Sequence, residues 1–155
     1  KRYQDDKILT KTMINNYAKN NLLPPPVKKK YSREHVLMLI FIYYFKNILS
    51  IKDIERLFDP ISEKNFNSGK EFSLTDIYEE VCSLQKSRVE PLAKDIARKY
   101  KLSTESFTDA PASEKEYLQL FSFICSLSFD VYVKKQIIEK LVDTLPEPNQ
   151  KKPKK

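Results

Sequence analysis

A single glycine, Gly69, serves all 155 residues. Loops that wrap phosphate need several glycines at fixed spacing, because only a residue without a Cβ lets the backbone close on the ligand. A Walker loop and a dinucleotide fingerprint are therefore both excluded. No hairpin dipeptide is present, and apolar and polar residues alternate nowhere over a strand's length. Apolar residues instead recur at helical spacing, so the sequence predicts an all-α fold. The chain is too short for a TIM barrel. With 41% hydrophobic residues it can fill one compact core, or one small domain with a helical extension.

The helices can be placed from caps and periodicity. Thr10 is an N-cap candidate for a helix over 10–20. Met13, Ile14 and Tyr17 fall on one side of it, and Thr12, Asn15, Asn16 and Lys19 on the other, with Lys11 at the edge. Leu22 and Leu23 lead into Pro24, Pro25 and Pro26, a rigid extended exit. Ser32 caps an apolar helix over 33–46, expected at the centre of the core. Ser50 caps a short one carrying Ile51, Ile54, Leu57 and Phe58. Asp59-Pro60 is expected to end that helix and open a linker over 60–72.

A long helix is expected from Ser73 or Thr75 to Tyr100, with Ile77, Val81, Leu84, Leu92 and Ile96 toward the core and a kink or split at Pro91. Ser113-Glu114-Lys115-Glu116 reads as a capping box. The apolar stretch from there to 145 is one helix or two. The domains are thus a head over 1–59, a linker over 60–72, a helical C-terminal region over 73–145 and a disordered basic tail over 146–155.

Charge is distributed unevenly. Twelve Lys/Arg and five Asp/Glu occupy 1–57, twelve and sixteen occupy 58–150, and four lysines end the chain, for a net +7. A basic head on a mildly acidic body suits a polyanion partner. The most apolar run, 36–45, is about half of the roughly 20 residues that a membrane span requires. Cys82 and Cys125 read as reduced core thiols, with a long-range disulfide as the alternative, and the expected location is cytoplasmic. One His and two distant Cys give no zinc set. No acid, base and nucleophile group together, so neither an enzyme nor a cofactor is expected. His35, in the first turn of the core helix, reads as a capping or structural residue.

The ordered features of 10–58 resemble the DNA-binding head of MerR-like regulators. They are Thr10-Lys11-Thr12-Met13-Ile14-Asn15-Asn16-Tyr17, then Leu22-Leu23-Pro24-Pro25, a basic stub ending in Tyr31-Ser32, and Leu49-Ser50-Ile51 opening a further helix. The chain also resembles an uncharacterised domain family of low-GC Gram-positive bacteria that carries Lys-Thr-Met-Ile-Asn-Asn-Tyr followed by Leu-Pro-Pro-Pro-x-Lys-Lys-Lys-Tyr. The MerR-like resemblance implies a degenerate winged helix-turn-helix head followed by a helical bundle or dimerisation region. The sequence departs from that pattern in four places. Nine residues precede Thr10, where the motif has its first helix, and the stretch Ser73–Tyr100, where the family has a long dimerisation helix, is interrupted at Pro91. The wing is reduced to a stub between Pro26 and Tyr31, and Asn15, Asn16 and Tyr17 stand where arginine and two tyrosines are usual.

The resulting expectation is a transcriptional regulator that binds double-stranded DNA as a homodimer through its C-terminal helices. Its contacts would be Lys11, Thr12, Asn15, Asn16 and Lys19 in a groove and Lys28, Lys29 and Lys30 on phosphates. Tyr17 would either offer its hydroxyl to a phosphate or simply fill the core. The alternative is a protein-interaction module built on the same degenerate head, without DNA binding.

Overall fold

The structure, a computed structural model, describes residues 9–66 and 72–148. It is all-α: α1 (Lys11–Lys19), α2 (Arg33–Phe45), α3 (Ile51–Asn65), α4 (Leu74–Lys86), α5 (Val89–Thr104) and α6 (Ala112–Asp143). Two compact units divide the chain, one of Lys1–Glu80 with Glu139–Lys155 and one of Val81–Ile138, so the division falls inside α4 and inside α6. Gly69, the rest of 67–71 and the tail residues 149–155 lie outside the described residues. Among those described, no helix is long and apolar enough to cross a membrane.

The first unit holds the core. Tyr17, Leu22, Leu23, Leu37, Met38, Leu39, Ile42, Leu49, Ile54, Phe58, Leu74 and Val142 are all buried. Serine and threonine start its helices, because a side-chain oxygen at the N-cap satisfies an amide that the first turn leaves unpaired. Thr10 Oγ1 accepts from Met13 N at 3.1 Å. Ser50 and Asp53 form a reciprocal capping box on α3, and Ser73 and Asp76 pair in the same way ahead of α4. The Ser73 hydrogen bonds hold the Asp76 carboxyl below its ordinary range. α2 is central as expected, although Val36 and Tyr44 on its outer side are exposed.

α1 ends on Asn20, and Asn21 takes the left-handed conformation at φ 58°. Leu22 N then donates to Tyr17 O at 2.9 Å and Leu23 N to the same oxygen at 3.1 Å. The first of these closes a Schellman turn, and Leu22 and Tyr17 bury their side chains at the two ends of it. Asn21→Gly should leave stability nearly unchanged. Asn21→Val should cost about 1–2 kcal/mol in denaturant unfolding, because a β-branched residue is strained at this φ.

Three sequence expectations are corrected in and around this unit, and one left open is resolved. Pro60 does not end α3, which runs on to Asn65, so 60–65 is helix rather than linker. An interior proline costs about 3 kcal/mol. Contacts on either side of it oppose that cost: Phe58 lies against Phe41 and Phe45, each with ring centroids 6.1 Å away, and Phe66 lies against His35 at 4.8 Å. The start of the supposed tail is also fixed. Arg56 donates to the carbonyls of Leu145 at 2.5 Å and Asp143 at 3.4 Å, and Glu147 pairs with Arg56 and Lys52. A guanidinium collects the unpaired carbonyls of a helix C-terminus for the same reason that the helix dipole favours cations there. Ser113 does not cap α6, which already begins at Ala112 while the Pro111 carbonyl receives the amides of Glu114 and Lys115. Of the two alternatives left open for 113–145, the structure has the single helix, α6, of 32 residues.

In the second unit the expected long helix splits at Ser87-Arg88, and Pro91 sits in the first turn of α5, where no intrahelical amide is needed. Here the core expectation fails. Leu84, Leu92 and Ile96 are exposed, Cys125 is exposed, and Ser103 is the one residue of this unit that is buried among those described. Cys82 and Cys125 are free thiols. α5 and α6 are joined by polar contacts: Lys99 bridges Asp95 and Asp130, and Gln119 donates to the carbonyls of Thr104 at 2.7 Å and Ser106 at 3.1 Å.

Hydrogen bonds from Lys99 and Arg98 hold the Asp95 carboxyl below its ordinary range, and the carboxylates of Asp130 and Asp95 hold Lys99 above its own. A depressed acid stabilises the fold above the ordinary carboxylate range and a raised base stabilises it below the ordinary lysine range. Amide protection factors in α5 and α6, taken relative to the intrinsic exchange rate at each pH, should therefore be greatest between those limits and decline as pH falls below the first or climbs past the second.

Candidate nucleic-acid interface

α1 separates its two sides cleanly. Met13 and Ile14 are half-buried and Tyr17 is 6% exposed, whereas Lys11, Thr12, Asn15, Asn16 and Lys19 are all exposed. Tyr17 thus belongs to the packing, and burial pushes its phenol up, which keeps it neutral. The side left to solvent bears two amides, a hydroxyl and two ammonium groups, with no carboxylate.

The chain leaving α1 is pinned. After the Schellman turn, Leu22 and Leu23 are buried, and the carbonyl of Pro24 meets Nε2 of His35 at 3.1 Å. His35 is 1% exposed. Its Nδ1 accepts from the amide of Ser32 at 2.9 Å and lies 2.7 Å from Ser32 Oγ. Nδ1 therefore carries the lone pair and Nε2 the proton, which it donates to Pro24. One imidazole thus completes the capping box of α2 and ties the exit of α1 to it. The ring also meets Tyr31 edge-on at 5.3 Å. The capping role is the one the sequence suggested. The tie to Pro24, eleven residues upstream, has no sequence signal.

Between those two anchors lies the basic stub. Val27 and Lys30 form an antiparallel bridge, and Lys30 N donates to Val27 O at 2.9 Å. Lys28 and Lys29 make the turn with φ of 49° and 62°. Two consecutive positive φ values define the tight hairpin turn that asparagine and glycine ordinarily occupy. Scanning for those residues misses it, which is why no hairpin was expected. Non-glycine residues in this region cost on the order of 1 kcal/mol each. All three lysines are exposed, and neither they nor Lys11 and Lys19 pair with a carboxylate among the described residues. The double substitution Lys28→Asn with Lys29→Gly should relieve the strain and raise the unfolding free energy by about 1 kcal/mol. It should also weaken any polyanion binding, because two charges are lost. Melting and binding are thus expected to move in opposite directions.

An all-helical protein whose head carries an acid-free polar stripe and a strained lysine turn is the class that fold and site define. The chain belongs to the family described as Domain of unknown function (DUF1836), whose model matches residues 1–81. That match ends within one residue of the first unit's N-terminal segment, Lys1–Glu80, so sequence family and compact unit share a boundary. No curated protein and no solved structure matches the chain.

Proposed function

We propose that this protein is a DNA-binding transcriptional regulator with a degenerate, MerR-like helix-turn-helix head. α1 enters a groove of duplex DNA, and Lys28, Lys29 and Lys30 lie on flanking phosphates. The observation that carries this reading is the exposed set of Thr12, Asn15, Asn16 and Lys19 on a helix whose other side is held in the core. Asparagine reads adenine through two hydrogen bonds, and lysine supplies affinity through counterion release. Eight residues lie between Lys19 and Lys28, and the nine Cα–Cα steps limit their distance to about 30 Å. Both elements therefore fall within one turn of duplex, about 34 Å. Tyr17 contributes packing rather than contact.

The test is binding to random duplex DNA across a salt series. With Lys28, Lys29 and Lys30 on phosphates, log affinity should fall against log salt with a slope near −2.7, steepening toward about −4.5 if Lys11 and Lys19 also reach phosphates. A flat response contradicts the reading. The second reading, a protein-interaction module without DNA binding, draws on the exposed apolar side chains of Val81–Ile138. A pull-down that survives nuclease, together with unchanged partner capture after Asn15→Ala and Lys19→Ala, would favour it.

A further inference from the structure

The core of the first unit takes up only one side of α2, where Leu37, Met38, Leu39 and Ile42 are buried. Val36, Ile40, Tyr43 and Tyr44 fall together on the outer side, within about 100° of arc. Val36 is 50% and Tyr44 67% exposed, and Ile40 and Tyr43 are half-buried. The two tyrosine rings meet at 5.8 Å. A helix apolar all round is ordinarily covered all round, yet this arc is left to water. Both of its ends are cationic. Arg33 opens it, and Lys46 closes it with its ammonium 5.0 Å from the centre of the Tyr43 ring. Thirteen helical steps set the two cations about 20 Å apart. Glu34, the one acid in α2, sits about 160° round from Val36. Arg33 is bridged to Glu79 at 3.8 Å, but both side chains are exposed and such a bridge holds weakly.

We infer that this arc docks an acidic amphipathic helix of another protein. That helix lies along α2, with its apolar stripe on Val36, Ile40, Tyr43 and Tyr44 and a carboxylate toward each end. Charge selects the occupant. A second copy of the chain, meeting arc to arc, sets Arg33 on Arg33 if parallel and Arg33 on Lys46 if antiparallel, so self-pairing opposes like charges in either direction. Duplex DNA carries a charge about every 1.7 Å of its axis and calls for cations along its whole length, not at the two ends of an apolar stretch. A helix lying in a membrane surface buries its apolar side in lipid, whereas most of the apolar surface of α2 is held in the core. Two exposed and two half-buried side chains offer roughly 300 Å², well under the 800 Å² or so per partner of a standard interface, so the contact is transient. The inference goes beyond the proposed function and stands whether or not α1 binds DNA.

Fluorescence anisotropy of two labelled synthetic peptides with the full chain at low salt tests this. Both are amphipathic helices of about 16 residues with a leucine stripe, one with paired glutamates at each end and the other with paired lysines. The glutamate peptide should bind with a Kd on the order of 10–100 μM, and the lysine peptide at least about 10-fold more weakly. Arg33→Glu combined with Lys46→Glu should invert that order. Val36→Gln combined with Tyr44→Gln should weaken the glutamate peptide by about 10-fold while helical circular dichroism is unchanged, since both side chains are exposed. Equal binding of the two peptides, or binding of neither, overturns the inference. So does binding of the glutamate peptide that survives the glutamine pair, or a preference that survives the charge reversal. A change of oligomeric state, of duplex DNA affinity or of capture by phosphatidylserine vesicles on introducing the glutamine pair would give the arc to a second copy, to DNA or to a membrane, and overturns it equally.

Discussion

Replacing Lys28, Lys29 and Lys30 together by glutamate should reduce affinity for duplex DNA by at least about 100-fold at low salt. The same change should flatten the salt dependence by nearly three units of slope, since each phosphate contact contributes close to one. The loss should be similar for all sequences, because lysines on phosphates position the protein without reading bases. The fold should survive, since all three side chains are exposed and none pairs with a carboxylate among the described residues. Titration of a fluorescent duplex against both proteins at several salt concentrations, with circular dichroism as the control for folding, checks this. An unchanged slope would remove the lysine turn from the interface.

His35→Ala should have the largest effect on stability. The ring is buried and bonded at both nitrogens, to Ser32 on one side and Pro24 on the other. Alanine leaves the Pro24 carbonyl without its donor and the Ser32 amide without its acceptor, and it opens a cavity beside Tyr31 and Phe66. Each effect costs about 1–3 kcal/mol, so a loss near 3 kcal/mol and a fall in Tm of about 10 °C are expected. Arg33→Ala, only two residues away, should change little, because its bridge to Glu79 joins two exposed side chains at 3.8 Å. DNA affinity should fall with His35→Ala even below the melting range, because the link from the end of α1 to α2 is lost. Thermal melts of the two variants side by side measure the contrast.

The parts of this molecule legible in its sequence are those set by local chemistry. Thr10, Ser32 and Ser50 cap the helices they were expected to cap, because the capping bond spans only three residues. The exposed side of α1 follows from periodicity alone. Most of what failed depends on distant partners. Pro60 stays within α3 because Phe58 and Phe66 are held by α2, which no rule about proline contains. Leu84, Leu92 and Ile96 have the spacing of a core face, but spacing shows only that a face exists and not what covers it. The turn at Lys28 and Lys29 was hidden because its residues are ones that hairpin rules exclude.

The account rests on α1 and the lysine turn meeting one DNA duplex together. Amide and side-chain chemical shifts of isotope-labelled protein, followed as a short duplex is added at low salt, test this most directly. The expected perturbations fall on Lys11, Thr12, Asn15, Asn16 and Lys19 and, at the same duplex concentrations, on Lys28, Lys29 and Lys30. Shifts confined to Val81–Ile138, or no shifts at saturating duplex, would contradict it.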